Sequence, residues 1–127
     1  MSEDFEDDNP YTGGSHRETS KPVGDGLDSH YCPAKSCYKN APISSQDGPA
    51  IKIEPRDHRM TASYGSSPDA KLYRERQQDL VDQGNVREAV QMDIDDIRSK
   101  FGNKYDSAIE EMELYLDTLN PEDFINR

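Results

Sequence analysis

The chain contains no tryptophan, three phenylalanines and two cysteines, and it has no apolar run near the roughly 18 residues that a membrane-spanning helix needs. A helical integral membrane protein is thereby excluded. Cys32 and Cys37 are too few for a disulfide scaffold and fit a reducing compartment, or one local metal or disulfide site. The opening MSEDFEDDNP lacks both a basic n-region and an apolar h-region, so export through an ordinary cleaved signal is not expected. Positive charge is also scarce. Fifteen Lys and Arg stand against 26 Asp and Glu, for a net charge of -11, and only 31% of the 127 residues are hydrophobic. Such a chain supports one small core. Part of it is expected to stay unfolded, because it buries too little apolar surface to offset its ordering entropy.

The charge is unevenly spread. Residues 1–30 carry -6, residues 31–66 carry +2 and residues 67–127 carry -7. Only the middle third would attract a phosphate backbone, and it also holds both cysteines and His58. Residues 1–25 are acidic, rich in Gly, Ser and Thr, and without apolar periodicity, which predicts a flexible leader followed by one domain over 26–127. His16 falls in that leader and is assigned no role.

Beyond the leader the pattern becomes readable. Leu27 to Cys32 reads as a short strand, Pro33 to Gly48 as a long loop, and the alternation from Pro49 to Glu54 as a second strand. Pro55 suits a first helical turn, which gives a short helix to about Ala62. Asp69 to Gln83 is helix-compatible and stops at Gly84. Val86, Ala89, Val90, Ile94, Ile97 and Phe101 line one face of a helix, and Tyr105, Ala108, Ile109, Met112, Leu116 and Leu119 repeat the stripe in another. These stripes are read as core, and the acids beside them, among them Asp93, Asp95, Asp96 and Glu110, are expected in solvent, with a carboxylate pair of Asp93 and Asp96, or of Asp96 and the next turn, as the alternative.

The strand–loop–strand–helix order brings His30, at the end of the first strand, near His58 in the short helix. One strand ligand and one helix ligand on a divalent ion is the layout of a metal-dependent phosphodiesterase. A base deprotonates the attacking water while the ion steadies the scissile phosphate. Cys32 and Cys37 with the histidines leave a second reading open, a structural zinc site, and a third in which both thiols are small buried hydrophobes.

The residues Ser29-His30-Tyr31, Pro33-Ala34-Lys35-Ser36, Gly48-Pro49-Ala50-Ile51 and Asp57-His58-Arg59, with Thr61, Ser63 and Gly65, resemble the bacterial polymorphic-toxin nucleases of the HNH/endonuclease VII (His-Me finger) superfamily that carry an S-H-H signature. The likeness runs over about residues 24–119 and includes Tyr73-Arg74, Met92 to Arg98 and Lys104-Tyr105-Asp106. It implies an α+β fold in which a ββα-metal finger is braced by two or three C-terminal helices behind a disordered acidic leader. It also implies a secreted or translocated effector of which this is the C-terminal toxic part, acting on nucleic acid in the target-cell cytoplasm and neutralised by a cognate immunity protein. His30 and His58 would hold a divalent ion, Mg or Zn. Lys35 and Arg59 would contact phosphate, and Asp57 would orient a histidine.

The chain departs from the signature at its second histidine, the position of the general base by analogy with other metal fingers, where Tyr31 stands. A phenol with a pKa of about 10 is ionised only to about one part in a thousand at pH 7, whereas an imidazole of about 6.5 is mostly free to accept a proton. Turnover is therefore expected to be impaired, by a natural or an inactivating substitution, unless His30 itself is the base. The net charge of -11 points the same way for duplex DNA. The acids face away from the nucleic acid, or the substrate is a smaller or structured RNA, or the acids meet another protein. The rival from a different class is a non-catalytic acidic helical interaction module with a structural hairpin.

Overall fold

The alternation at Pro49–Glu54 becomes the central strand of the sheet. In the computed structural model, which describes residues 9–126, β1 (Gly13–Ser15), β2 (Asp28–Tyr31) and β3 (Pro49–Ile53) form a three-stranded antiparallel open sheet in the order β1-β3-β2. Five helices accompany it: α1 (His16–Thr19), α2 (Pro55–His58), α3 (Pro68–Asp82), α4 (Val86–Phe101) and α5 (Asp106–Leu116). The fold is therefore α+β, with the three long helices after the sheet. None of the described helices is long and apolar enough to cross a membrane.

Register assigns the faces. Gly13 and His30 both pair with Ile51, and Asp28 pairs with Ile53, so the side chains of His30, Ile51, Asp28 and Ile53 share the sheet face that packs on α5, where Gly13 leaves room for the helix backbone. Ser29 and Tyr31 project to the other face, where α1 lies. Ile51 and Ile53 are fully buried, and α4 and α5 complete the core with Val86, Val90, Ile94, Ile97, Ile109 and Met112. Each such side chain contributes about 1.5–3 kcal/mol of burial free energy. Both predicted stripes thus lie inward, and Gly102, at φ +63°, ends α4 in a conformation that disfavours a β-carbon.

Two expectations are corrected. The flexible leader does not extend to residue 25. Residues 1–8 lie outside the described residues, but Gly13–Ser15 form an edge strand, and Tyr11 donates to Glu54 (2.5 Å) and packs on the Tyr105 ring. Asp25 forms a 2.7 Å ion pair with Lys52, which is nearly buried. The segment lacks an apolar pattern because glycine is what its packing requires: a Cβ on Gly13 would lie 1.9 Å from the Ala108 carbonyl oxygen of α5. The second correction is Asp93, expected in solvent but only 1% exposed. Its carboxylate accepts from Tyr73 Oη and Gln77 Nε2, both at 2.7 Å, and Gln77 Oε1 accepts from the Ala34 backbone N–H. Burial pushes the Asp93 pKa up to about 7 against the pull of those bonds, with the nearby Asp96 charge adding to the rise.

Candidate functional site

β2 is an outer strand, and the cleft forms along its free side. A cavity of about 420 Å³ opens there, lined by Ser29, His30, Tyr31, Ala34, Lys35, Ser36, His58, Ser63, Tyr64, Gly65 and Arg74. Among the described residues its walls carry two cationic side chains and no acid, in a protein of net charge -11.

Adjacency in sequence suggests His30 and Tyr31 as a pair, yet neighbours on a strand point to opposite faces. His30 turns toward the helical layer and meets His58, with ring centroids 5.1 Å apart and planes at 63°. Only 3% of His30 is exposed, and its Nε2 has no hydrogen-bond partner among the described residues. Burial, reinforced by the adjacent His58, pushes its pKa down to about 3, so the ring is neutral and offers a lone pair.

His58 is reached through α2, whose Pro55 fixes the first turn. Tyr105 anchors that turn: its hydroxyl accepts from the Glu54 N–H and donates to Asp57. The carboxylate expected to orient a histidine, Asp57, is committed instead to Lys104 (2.8 Å) and Tyr105 (2.6 Å). Burial alone would raise the Asp57 pKa, but these bonds outweigh it and hold it below its ordinary value. The carboxylate that holds His58 is Asp28, with Oδ2 at 2.8 Å from Nδ1. When the neutral ring donates Nδ1–H to it, Nε2 is left as the lone-pair nitrogen. Asp28 was legible as the residue two before His30, on the same strand face.

Tyr31 faces the other side and stacks on His16, with centroids 4.3 Å apart and planes at 19°. His16 Nδ1 lies 2.8 Å from Ser29 Oγ, which bonds Thr19 Oγ1 in turn. His16 therefore belongs beside the cleft rather than in a free leader. Burial, then the charge of Lys35, lowers its pKa. Tyr31 shifts the opposite way: burial raises its pKa, partly offset by a bond with Ser45.

Of the expected phosphate contacts, Lys35 lines the cleft and is exposed, while Arg59 lies exposed at the C-terminal end of α2 and is not among the lining residues. Arg74 lines the cleft, but its guanidinium donates to the Ser63 and Gly65 carbonyls. Cys32 and Cys37 are free, buried members of the core, and the Cys32 thiol donates to the His30 carbonyl. Burial raises both thiol pKa values, Cys37 to about 12, so this packing favours the reading of two small hydrophobes. Among the described residues no three or more His, Cys, Asp or Glu side chains converge as a metal-ligand group.

Comparison with known proteins finds no matching family model, no matching curated protein and no matching solved structure.

Proposed function

We propose that this chain is a metal-dependent phosphodiesterase domain acting on nucleic acid, in which β2, β3 and α2 serve as a ββα-metal finger. The observation that carries the reading is the meeting of His30 and His58 inside a cleft whose charged walls are cationic in a strongly acidic protein.

The orphaned, buried Nε2 of His30 fits a divalent ion shared with His58, whose Nδ1 is committed to Asp28. Two imidazoles suit zinc or another transition ion better than magnesium, which prefers oxygen donors. An ion held there would supply positive charge against a phosphate oxygen and the leaving oxygen. Lys35 adds the neighbouring cation for the phosphate. Tyr31, half-buried at the position of the resembling family's base, is a poor proton acceptor, and the chain is read as catalytically impaired unless His30 takes that role. The resemblance extends the proposal to a toxin delivered as part of a larger effector into a target-cell cytoplasm and restrained by an immunity protein.

Tyr31→His is the experiment. It is expected to raise divalent-dependent cleavage of plasmid DNA or tRNA by at least about a hundredfold, the lower range of general-base catalysis. EDTA and His58→Ala should each abolish the gain, and growth inhibition on cytoplasmic expression should follow the same order. Equal cleavage with and without the substitution would transfer the base role to His30. Absence of cleavage in both proteins would favour the interaction module.

A further inference from the structure

We infer that the nucleic acid entering this cleft is single-stranded, and that Tyr64 is the platform on which one unpaired base stacks. The inference rests on the phosphodiesterase reading for what happens at the histidines, and it adds which form of nucleic acid reaches them.

Tyr64 stands at the rim of the cleft with 45% of its surface exposed, and its ring lies 5.0 Å from that of His58, edge against face at 74°. The ring contributes little to the core, yet the loop that presents it is tied on every side. The Thr61 hydroxyl donates to the His58 carbonyl, Asp96 accepts the Ala62 N–H, and Lys100 donates to the Met60 carbonyl. Arg74 then bridges Ser63 and Gly65, the residues on either side of Tyr64, at 2.6 and 2.7 Å. Helices α3 and α4 thus hold an exposed aromatic rigidly beside the histidines. A ring ordered in the free protein loses little further freedom when a base stacks on it.

Charge selects the form of the ligand. Duplex binding draws its affinity from neutralising many phosphates. Here the net charge is -11, and the cleft's cations among the described residues are two, Lys35 and Arg74, the latter bonding the Ser63 and Gly65 carbonyls through Nη1 alone and keeping its charge. The cavity of about 420 Å³ lies in the size range of small-molecule sites, the scale of one nucleotide. Two cations are few against that net charge, so base stacking adds affinity that phosphate contacts alone do not supply. Stacking on an aromatic is worth about 1–3 kcal/mol per base and requires the base to be out of its pair.

Anisotropy of end-labelled oligonucleotides of about 12 residues, a length within single-strand site sizes, tests this in EDTA at low salt. The single strand is expected to bind at least about tenfold more tightly than its duplex. Tyr64→Ala should weaken it by about 5- to 100-fold, the stacking energy converted to affinity. Tyr64→Phe should bind as the parent does. A fully abasic strand, with the phosphates kept and the bases gone, should bind the parent and Tyr64→Ala equally. Tyr64→Leu, which keeps an apolar contact on His58 but has no aromatic face, replaces Tyr64→Ala if the latter shifts the melting curve. Equal affinity for duplex and strand, an unchanged Tyr64→Ala, a Tyr64 effect on the abasic strand, or no binding at all would overturn the inference. Cleavage by the Tyr31→His protein separates it from the reading beneath. Strand binding through Tyr64 without divalent-dependent cleavage removes the nuclease and keeps the platform, whereas equal cleavage of duplex and strand does the reverse.

Discussion

The helical half, α3 to α5, and the sheet with its two short helices are held together by different means. α4 and α5 each bring an apolar stripe, so their contribution to the core is local and repeated every three or four residues, while α3 buries Ala70 and Val81 around the polar Gln77. The sheet half has almost no such pattern. Its edge strand is Gly13-Gly14-Ser15, and it is secured by close backbone approach to α5 and by polar ties such as Tyr11 to Glu54 and Lys52 to Asp25. Apart from Arg74 of α3, the cleft residues sit on this second half and its loops, while side chains of the first half anchor them: Tyr105 under α2, Asp96, Lys100 and Arg74 around the Tyr64 loop. A rigid periodic layer thus carries an irregular layer that bears the chemistry.

The comparison breaks most completely at Ile94. Ile94→Asp places an unpaired carboxylate at a site 1% exposed, a cost of several kcal/mol against a domain stability of about 5–15. Loss of the cooperative urea transition is the expected result, and a soluble, cooperatively folding variant would show that this face is not core. The next largest effect tests the other half. Gly13→Val forces a branched side chain toward a carbonyl oxygen that even a Cβ would meet at 1.9 Å, so a loss of about 3 kcal/mol or more is expected from displacing β1. Parental melting of the Gly13→Val protein would detach the edge strand from the fold.

Asp93 sharpens the comparison through pH. In the folded protein its pKa is raised to about 7, so the native state keeps a proton that the unfolded chain releases near its ordinary 3.8. Its contribution is fully present below about pH 4 and is lost as pH rises toward 7, by up to about 1.4 kcal/mol per pH unit. The sign is opposite to that of Asp25 and Asp57, whose lowered values give stability that is lost as pH falls. Urea midpoints between about pH 5 and 7 should decline for the parent relative to Asp93→Asn, which cannot titrate. Parallel profiles would mean that Asp93 is ionised in the folded protein throughout.

Legibility followed the same division. The strands at Asp28–Tyr31 and Pro49–Ile53 and the three long helices lie within a residue or a few of where the pattern put them, because alternation and the helical stripe are local signals. The pairing of Gly13–Ser15 with β3 was not legible, since it depends on a contact with a helix more than 90 residues away. His16 was missed with it, as was its stack on Tyr31. The nearness of His30 and His58 was readable from element order, but the Asp28 carboxylate that holds His58 required attention to alternation rather than adjacency. Asp93 was misread because a lone acid beside a stripe carries no mark of the Tyr73 and Gln77 that cover it.

The smallest expected effect decides whether residues just before β1 belong to the domain. The Tyr11 hydroxyl donates to a Glu54 carboxylate oxygen at 2.5 Å, and that bond, more than burial, raises the Tyr11 pKa to about 12. Its ring also packs on Tyr105, centroids 4.8 Å apart, close to the hydroxyl that anchors α2. Tyr11→Phe keeps the ring contact and removes only the bond, so a loss of about 1 kcal/mol is expected, a charge-assisted bond discounted for partial exposure. For a chain of this length that lowers the melting temperature by roughly 3–5 °C. Tyr11→Ala removes ring and bond together and should lower it further, because the Tyr105 ring then loses its cover. Differential scanning calorimetry of the three proteins at pH 7 orders them parent, Phe, Ala. Coincident melting of all three would return residues 9–12 to the status of a dispensable leader and leave β1 to hold the edge of the sheet alone.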